Sequence, residues 1–372
     1  MEKSGRELNV LVLQGGGALG AYQAGAYEAL AESGFEPDWV AGISIGAING
    51  AIIAANRPED RVQKLRQFWD KVSSGLQGAI PAFEDYLRPF FNETSANLAA
   101  TFGVPGFFKP RFPSAYFQPK GTLEAISLYD TSPLAETLAE LTDFRLQRAN
   151  GTRLSVGAVD IEKGNFEYFD SAKQPLGVEH IMASGALPPA FAPVKINGKF
   201  YWDGGIVSNT PVDYVMEYAG AMQDMCIFQV DVFRARGQVP QTLGEVTERE
   251  KDIRFSSRTR FNSDHIQKMQ DMASAAARLL KKLPPELRDD PDSKLLQAWA
   301  CQAHVTLAHL IRHDTGVDSG SKDYEFSRLS IDEHWNAGRD NVRRGLKRKE
   351  WRERDRNAPG VQVFDLTKED KT

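Results

Sequence analysis

Cysteine is scarce in this sequence. Of 372 residues only Cys226 and Cys301 carry a thiol, and they lie far apart. That count excludes a disulfide framework and suits a reducing compartment. Charge of one sign is lacking as well: 45 basic and 50 acidic residues leave a formal net charge of −5, which argues against a nucleic-acid binder. No secretory signal is expected at the N-terminus, where the apolar stretch Leu8 to Leu13 runs into glycine without a small-residue cleavage site. The longest apolar run, WVAGISIGAINGAIIAA over 39–55, is slightly short for a membrane span and reads as a buried strand leading into a buried helix. The location expected from these features is the cytoplasm. The 41% hydrophobic and 26% charged content is that of an ordinary globular protein, and the length suffices for one large domain or two modest ones.

What is present first is an alternation of strand and helix. Residues 8–14 read as a buried strand, and Tyr22, Ala26 and Leu30 recur at helical spacing up to about Glu32. A second strand is expected over 38–43, a second helix over Ile45 to Ala55, and a third helix opening at Arg57-Pro58-Glu59. Strand, helix, strand, helix implies a mainly parallel sheet with helices on its faces. The segments TRLSVGAVDI and NFEYF read as strands, PVKINGKFYWDGG as a hairpin turning at Asn197-Gly198, and MCIFQVDVF over 225–233 as a further buried strand.

Two regions depart from this pattern. Between Phe83 and Phe117 fall eight of the 21 phenylalanines, together with Pro89, Pro105, Pro110 and Pro113. The prolines argue against a long helix over 75–120, and the aromatics against a solvated linker. The segment is expected either as an irregular packing layer or as a lid or wall of an apolar pocket. Residues 236–262 are polar and read as a linker. Helical segments are expected beyond it, over about 263–283, 293–313 and 330–356. The organisation anticipated is a catalytic domain over 1–235, the linker, and a helical C-terminal extension over 263–372.

The stretch LVLQGGGALG, residues 11–20, ends a strand in three glycines and opens a helix. Gly15, Gly17 and Gly20 match G-x-G-x-x-G in the context of a dinucleotide fingerprint. The acid that should bind a ribose is misplaced, however: Glu36 and Asp38 precede the second strand, and Ser44 stands at its far end. Ser44 is the centre of GISIG, Gly42 to Gly46, a G-x-S-x-G at a strand-to-helix turn. Taken alone, that motif is equally a serine N-cap with packing glycines. The two motifs together point to acyl transfer. Consecutive parallel strands are usually neighbours, so the glycine loop would set bare N–H groups beside the serine. Losing one oxyanion donor typically costs about 2.7–4 kcal/mol of transition-state stabilisation.

A serine nucleophile needs a base. His180 precedes IMASGALPPAFAPV, and the other five histidines lie in the C-terminal region, so none is suitably placed. Asp203 in YWDGG follows an apolar hairpin strand and precedes two glycines. An Asp-Gly turn is the commoner meaning of those letters, but burial beside an apolar pocket would raise the carboxyl toward a useful basicity.

Gly15-Gly16-Gly17-Ala18, Gly42-Ile43-Ser44-Ile45-Gly46 and Asp203-Gly204-Gly205 together resemble the three signatures of the patatin-like phospholipases. ASGALPPAFAPV over 183–194 and Asn209-Thr210-Pro211 are similar to the stretches flanking the aspartate. The resemblance covers about residues 8–235. It implies a three-layer α/β/α fold and metal- and cofactor-independent hydrolysis of acyl esters, typically of lipids, through an acyl-enzyme. It also implies Ser44 as nucleophile, Asp203 as base, and Gly15, Gly16 and Gly17 as the oxyanion hole. The region beyond 260 resembles an extension of some bacterial members. Alternatives are hydrolysis of other apolar esters such as hydroxyalkanoate oligomers, a dinucleotide-binding oxidoreductase, and a catalytically silent lipid-binding module.

HLIRH sets His309 and His313 four apart on an expected helix, but no acid or third ligand makes this a metal site. RRGLKRKEWRERDR over 343–356 holds eight basic and three acidic residues. It reads as a solvated helix or as a peripheral contact to an anionic membrane, with Trp351 at the interface. Headgroup, chain length and oligomeric state leave no mark in the sequence.

Overall fold

The computed structural model describes residues 7–74, 88–218, 224–256, 259–299, 303–313, 320–356 and 360–368. The first strand, β1 (Leu8–Leu13), is apolar on both faces because both are covered: Leu11 and Leu13 pack into one core, Val10 and Val12 into another. The other strands are β2 (Trp39–Gly42), β3 (Lys109–Pro110), β4 (Tyr129–Asp130), β5 (Arg153–Asp160), β6 (Phe166–Asp170), β7 (Val194–Ile196), β8 (Lys199–Asp203), β9 (Met225–Asp231), β10 (His304–Ile311) and β11 (Gly360–Asp365). Nine form one sheet in the order β11-β10-β9-β1-β2-β5-β8-β7, with β6 beside β5. From β11 to β5 the pairing is parallel; β6, β7 and β8 are antiparallel. The hairpin β7–β8 turns at Asn197 and Gly198, whose φ values of 48° and 87° are those of the turn expected from these two residues.

Helices cover both faces, so the fold is the three-layer α/β/α arrangement with a mainly parallel sheet. On one side lie α1 (Gly20–Glu32), α2 (Ile45–Ala54) and α3 (Pro58–Val72), with the C-terminal helix Arg328–Gly345 against α1. That contact is close. A Cβ on Gly25 would lie 1.9 Å from the Trp335 carbonyl oxygen, and one on Gly338 would lie 2.0 Å from that of Tyr22. On the other side, helices Val212–Tyr218 and Thr259–Leu280 cover the strands. Among the described residues no helix is long and apolar enough to cross a membrane.

Several local expectations are corrected. A 15-residue helix, Arg88–Phe102, runs through the proline-rich region. Pro89 is second in that helix, where no backbone donor is needed, and Pro105, Pro110 and Pro113 all follow its end. Residues 75–87 lie outside the described residues. Residues 236–262 carry the helix Leu243–Phe255. The expected helix over 293–313 divides into the helix Pro291–Trp299 and the strand β10. A short apolar run between two strands is indistinguishable by periodicity from a buried helix, and the β-branched Val305, Thr306 and Ile311 decide for the strand. His309 and His313 therefore sit on and just beyond a strand rather than on one helix face, and His313 Nε2 meets the Thr367 carbonyl oxygen at 2.6 Å. The basic region ends in a four-residue helix, Lys349–Arg352, and β11 follows. Trp351 is buried among Phe35, Phe228 and Phe364, so it cannot sit at a membrane interface.

Candidate active site

Ser44 stands between the last residue of β2 and the first of α2. Its φ of 54° and ψ of −121° place a non-glycine residue in strained backbone, at a typical cost of about 1–3 kcal/mol. The flanking glycines make the turn possible. A Cβ on Gly42 would lie 2.3 Å from the Gly46 carbonyl oxygen, and one on Gly46 would lie 2.3 Å from that of Leu13. The turn is tied down on both sides: Ile43 N–H donates to the Leu13 carbonyl at 3.1 Å, and Ser44 N–H donates to Ser184 Oγ at 3.1 Å. The half-buried Ser44 side chain is thereby held at the carboxyl edge of the sheet, over the N-terminus of α2.

Asp203 ends β8. Pairing with β5 brings it opposite Ala158, and its N–H donates to the Ala186 carbonyl at 3.0 Å. Its carboxylate accepts the Gly205 N–H at 2.7 Å and faces the Ser44 hydroxyl. The side chain is 1% exposed. Burial pushes the carboxyl up to about 7, while hydrogen bonds from Gly205 N–H and the Ser44 hydroxyl pull the other way. The base expected from sequence is thus brought to the expected serine, with a basicity matched to neutral pH.

The glycine loop lies against both. Gly15 is not a free donor: its N–H donates to the Asn209 carbonyl at 3.2 Å, and Asn209 Nδ2 returns a bond to the Gly15 carbonyl at 3.0 Å. The N–H groups of Gly16 and Gly17 have no partner among the described residues. Gly17 has a φ of 55°, and the next N–H, of Ala18, donates to the Asp323 carbonyl at 2.8 Å. Gln14, just before the glycines, braces the loop from below: its Oε1 accepts the N–H groups of Val232 and Phe233, and its Nε2 donates to Thr210 Oγ1. Sequence reasoning missed Gln14, Ser184 and Asp323. Nothing local marks them, because the contacts by which they hold the site (Gln14 to Thr210, Val232 and Phe233, Ser184 to Ser44, Asp323 to Ala18) span 140 to about 300 residues.

Ser44, Asp203 and the three glycines open into one cavity of about 370 Å³, walled by Ile48, Phe107, Phe108, Tyr129, Phe191 and Phe326 among others. A second cavity of about 710 Å³ shares Gly205, Asn209, Phe255 and Asp323 with the first and is edged by Lys251 and Arg254. Lys251 Nζ pairs with Asp323 at 2.6 Å. The aromatic stretch therefore divides: Phe107 and Phe108 line the apolar chamber, whereas Phe112 and Phe117 are exposed. None of the described residues lining the chamber is a histidine. His180 points elsewhere, its Nδ1 accepting the Gly177 N–H and its ring packing on Phe169, and burial lowers its pKa.

An open α/β/α sheet carrying a strained serine at a strand-to-helix turn, beside a glycine loop and a buried carboxylate, defines the structural class. The comparisons give the family. Residues 11–216 match the family model described as patatin-like phospholipase, and residues 253–358 match a second one described as patatin phospholipase. The chain belongs to the patatin-like phospholipase family. It is 26% identical over 222 residues to patatin-like phospholipase domain-containing protein 7 of Rattus norvegicus, covering 60% of this chain and 13% of that protein. It is 27% identical over 237 residues to lysophospholipase nte1 of Aspergillus niger, covering 63% of this chain and 12% of that one. The chain thus spans about an eighth of the length of these relatives. Among solved structures, VipD from Legionella pneumophila aligns over 92% of this chain and 67% of its own, at 14% identity and a TM-score of 0.37.

Proposed function

We propose that this chain hydrolyses acyl esters of lipids by a serine–aspartate dyad. Ser44 Oγ attacks the ester carbonyl carbon, and the hydroxyl proton passes to Asp203. The carbonyl oxygen becomes an oxyanion held by the N–H groups of Gly16 and Gly17, with Gly15 setting the path of the loop. Collapse breaks the ester bond, the leaving alcohol takes the proton from Asp203, and the acyl group stays on Ser44. Water then attacks the acyl-enzyme, giving its proton to Asp203. The second collapse frees the fatty acid and returns the proton to Ser44. No metal is called for at any step.

The observation that carries this reading is Asp203, a carboxylate buried to 1% exposure beside a serine in strained backbone, with burial pushing its pKa upward. The shape of the cavity supports a lipid over an oligoester. A mainly apolar chamber adjoining a polar one suits a substrate with a hydrocarbon tail and a polar end. An oligomer with a carbonyl in every repeat would leave those carbonyls unpartnered against Ile48, Phe107 and Phe191. A pyrophosphate would meet the carboxylate of Asp203 across the glycine loop, which disfavours dinucleotide binding.

The test is fatty-acid release from phosphatidylcholine, lysophosphatidylcholine and a short soluble ester. The full chain is expected to cleave them, and Ser44→Ala and Asp203→Asn are each expected to lose activity by a factor of at least about 10². Unchanged hydrolysis by either variant would overturn the dyad. Cleavage of the short ester with none of either lipid would overturn the substrate class.

A further inference from the structure

The apolar chamber absorbs only part of the aromatic segment. Between β3 and β4 the chain makes two 3₁₀ turns, Ala115–Phe117 and Leu123–Ile126, packed on one another. Their polar groups are spent inward. Phe117 N–H donates to the Ser114 carbonyl, Gln118 Nε2 to that of Pro113, Arg111 Nε to Ser127 Oγ, and Thr122 Oγ1 caps Ala125. The apolar side chains face outward instead: Phe112 is 98% exposed, Tyr116 88% and Phe117 82%, with Leu123 and Ile126 beside them. An ordered loop with its polar atoms satisfied and its large rings in water is the reverse of the usual economy of a surface, and such patches mark interaction sites.

We propose that this loop, Phe112 to Ile126, is the face by which the protein docks on a lipid surface. The inference rests on the reading of the chain as a lipid hydrolase. Two observations select lipid as the occupant. The first is charge: from Lys109 to Asp130 the chain has three basic residues (Lys109, Arg111 and Lys120) and two acids, Glu124 and Asp130, the latter paired with Lys109 at 3.3 Å, so the loop keeps a net positive charge of one within a protein whose overall charge is −5. Aromatic rings with a cationic fringe match an anionic headgroup layer over an acyl interior. The second is position. Tyr129, just after the loop, lines the chamber that holds Ser44, and its N–H is bonded to the Ala190 carbonyl in the chamber wall. The helix Arg88–Phe102 continues the apolar surface: Leu98 and Phe102 share a groove with Lys109, while Asn97 and Ala100 of the same helix line the chamber. The loop thus runs directly into the wall of the chamber that holds the serine. The cationic segment 343–356 has no such exposed ring, because Trp351 is buried, and Arg343 is paired with Glu32 at 2.7 Å.

The test uses the full-length Ser44→Ala protein, so that binding is read without turnover, on vesicles of phosphatidylcholine with and without phosphatidylserine. The protein is expected to co-sediment, more strongly with phosphatidylserine and at low salt. The triple variant Phe112→Ser, Tyr116→Ser, Phe117→Ser is expected to bind at least about tenfold more weakly. In the Ser44 background the same triple variant should keep its hydrolysis of a short soluble ester and lose hydrolysis of vesicle lipid. Equal binding by the triple variant, or no binding by the parent, would overturn the proposal. So would a concentration-dependent dimer in sedimentation velocity that the triple variant dissolves without any vesicle effect, since the face would then belong to a second copy. A parent with Ser44 intact that binds vesicles, loses that binding in the triple variant, and hydrolyses neither the short ester nor lipid would instead count against the proposed chemistry and leave the docking face standing.

Discussion

Asp203→Asn should make the protein inactive and, at neutral pH, more stable. Burial raises this carboxyl from its ordinary 3.8 to about 7. An acid whose folded pKa lies above its unfolded value binds its proton more tightly in the native state, so stability falls as pH rises from about 4 to about 7. At 1.36 kcal/mol per pH unit, the charged Asp203 costs the fold about 4 kcal/mol once the pH exceeds 7. Asparagine keeps the shape and cannot ionise, so it escapes that cost, although it forfeits the charge-assisted hydrogen bond from Gly205 N–H. The advantage of the variant over wild type should therefore grow by about 2–3 kcal/mol between pH 5 and pH 8. Urea unfolding of both proteins at the two pH values measures it directly. In parallel, wild-type kcat/KM on a soluble ester should rise with pH through an apparent pKa near 7, as the base loses its proton. A stability difference that does not change between pH 5 and pH 8 would refute the burial of a charged Asp203. A wild-type rate independent of pH over the same range would refute its role as base.

Three further outcomes follow from the packing and the backbone. The pair Phe107→Ala and Phe108→Ala empties one wall of the chamber, and should lower hydrolysis of long-chain esters more than of short ones in a chain-length series; equal losses would mean general loosening of the core. Gly17→Ala should cost at least about 10² in rate, because a Cβ there would lie 2.0 Å from the Asp323 carbonyl oxygen and shift the oxyanion loop. Gly34→Ala, at φ 81° with open space around it, should cost about 1 kcal/mol of stability in thermal unfolding and leave the rate unchanged.

The parts of the site legible in sequence are those whose geometry is set within a few residues. A buried strand ending in glycines, a serine between two glycines at a strand-to-helix turn, and Asn197-Gly198 between two short strands each declare their local conformation. Parallel neighbours then follow from chain order, which is why Ser44 and the loop could be set side by side from letters alone. What was illegible depends on tertiary company. The β-branched Val305, Thr306 and Ile311 suit β10 to a strand, but its apolar run gave no period to read, and pairing with β9 and β11 fixes it. The helix Arg88–Phe102 tolerates Pro89 through the residue's position rather than its identity. Trp351 reads as an interfacial residue until Phe35, Phe228 and Phe364 enclose it. The brace of the glycine loop by Asp323 joins residues about 300 positions apart, and no periodicity encodes such a contact.

The central claim is that Ser44 takes the acyl group. Incubating the full chain with a fluorophosphonate and mapping the adduct by peptide mass spectrometry tests it most directly. A single modification is expected on the peptide containing Gly42-Ile43-Ser44-Ile45-Gly46, none in Ser44→Ala, and much slower labelling in Asp203→Asn. An adduct on a different residue, or labelling of Ser44→Ala at the wild-type rate, would contradict it.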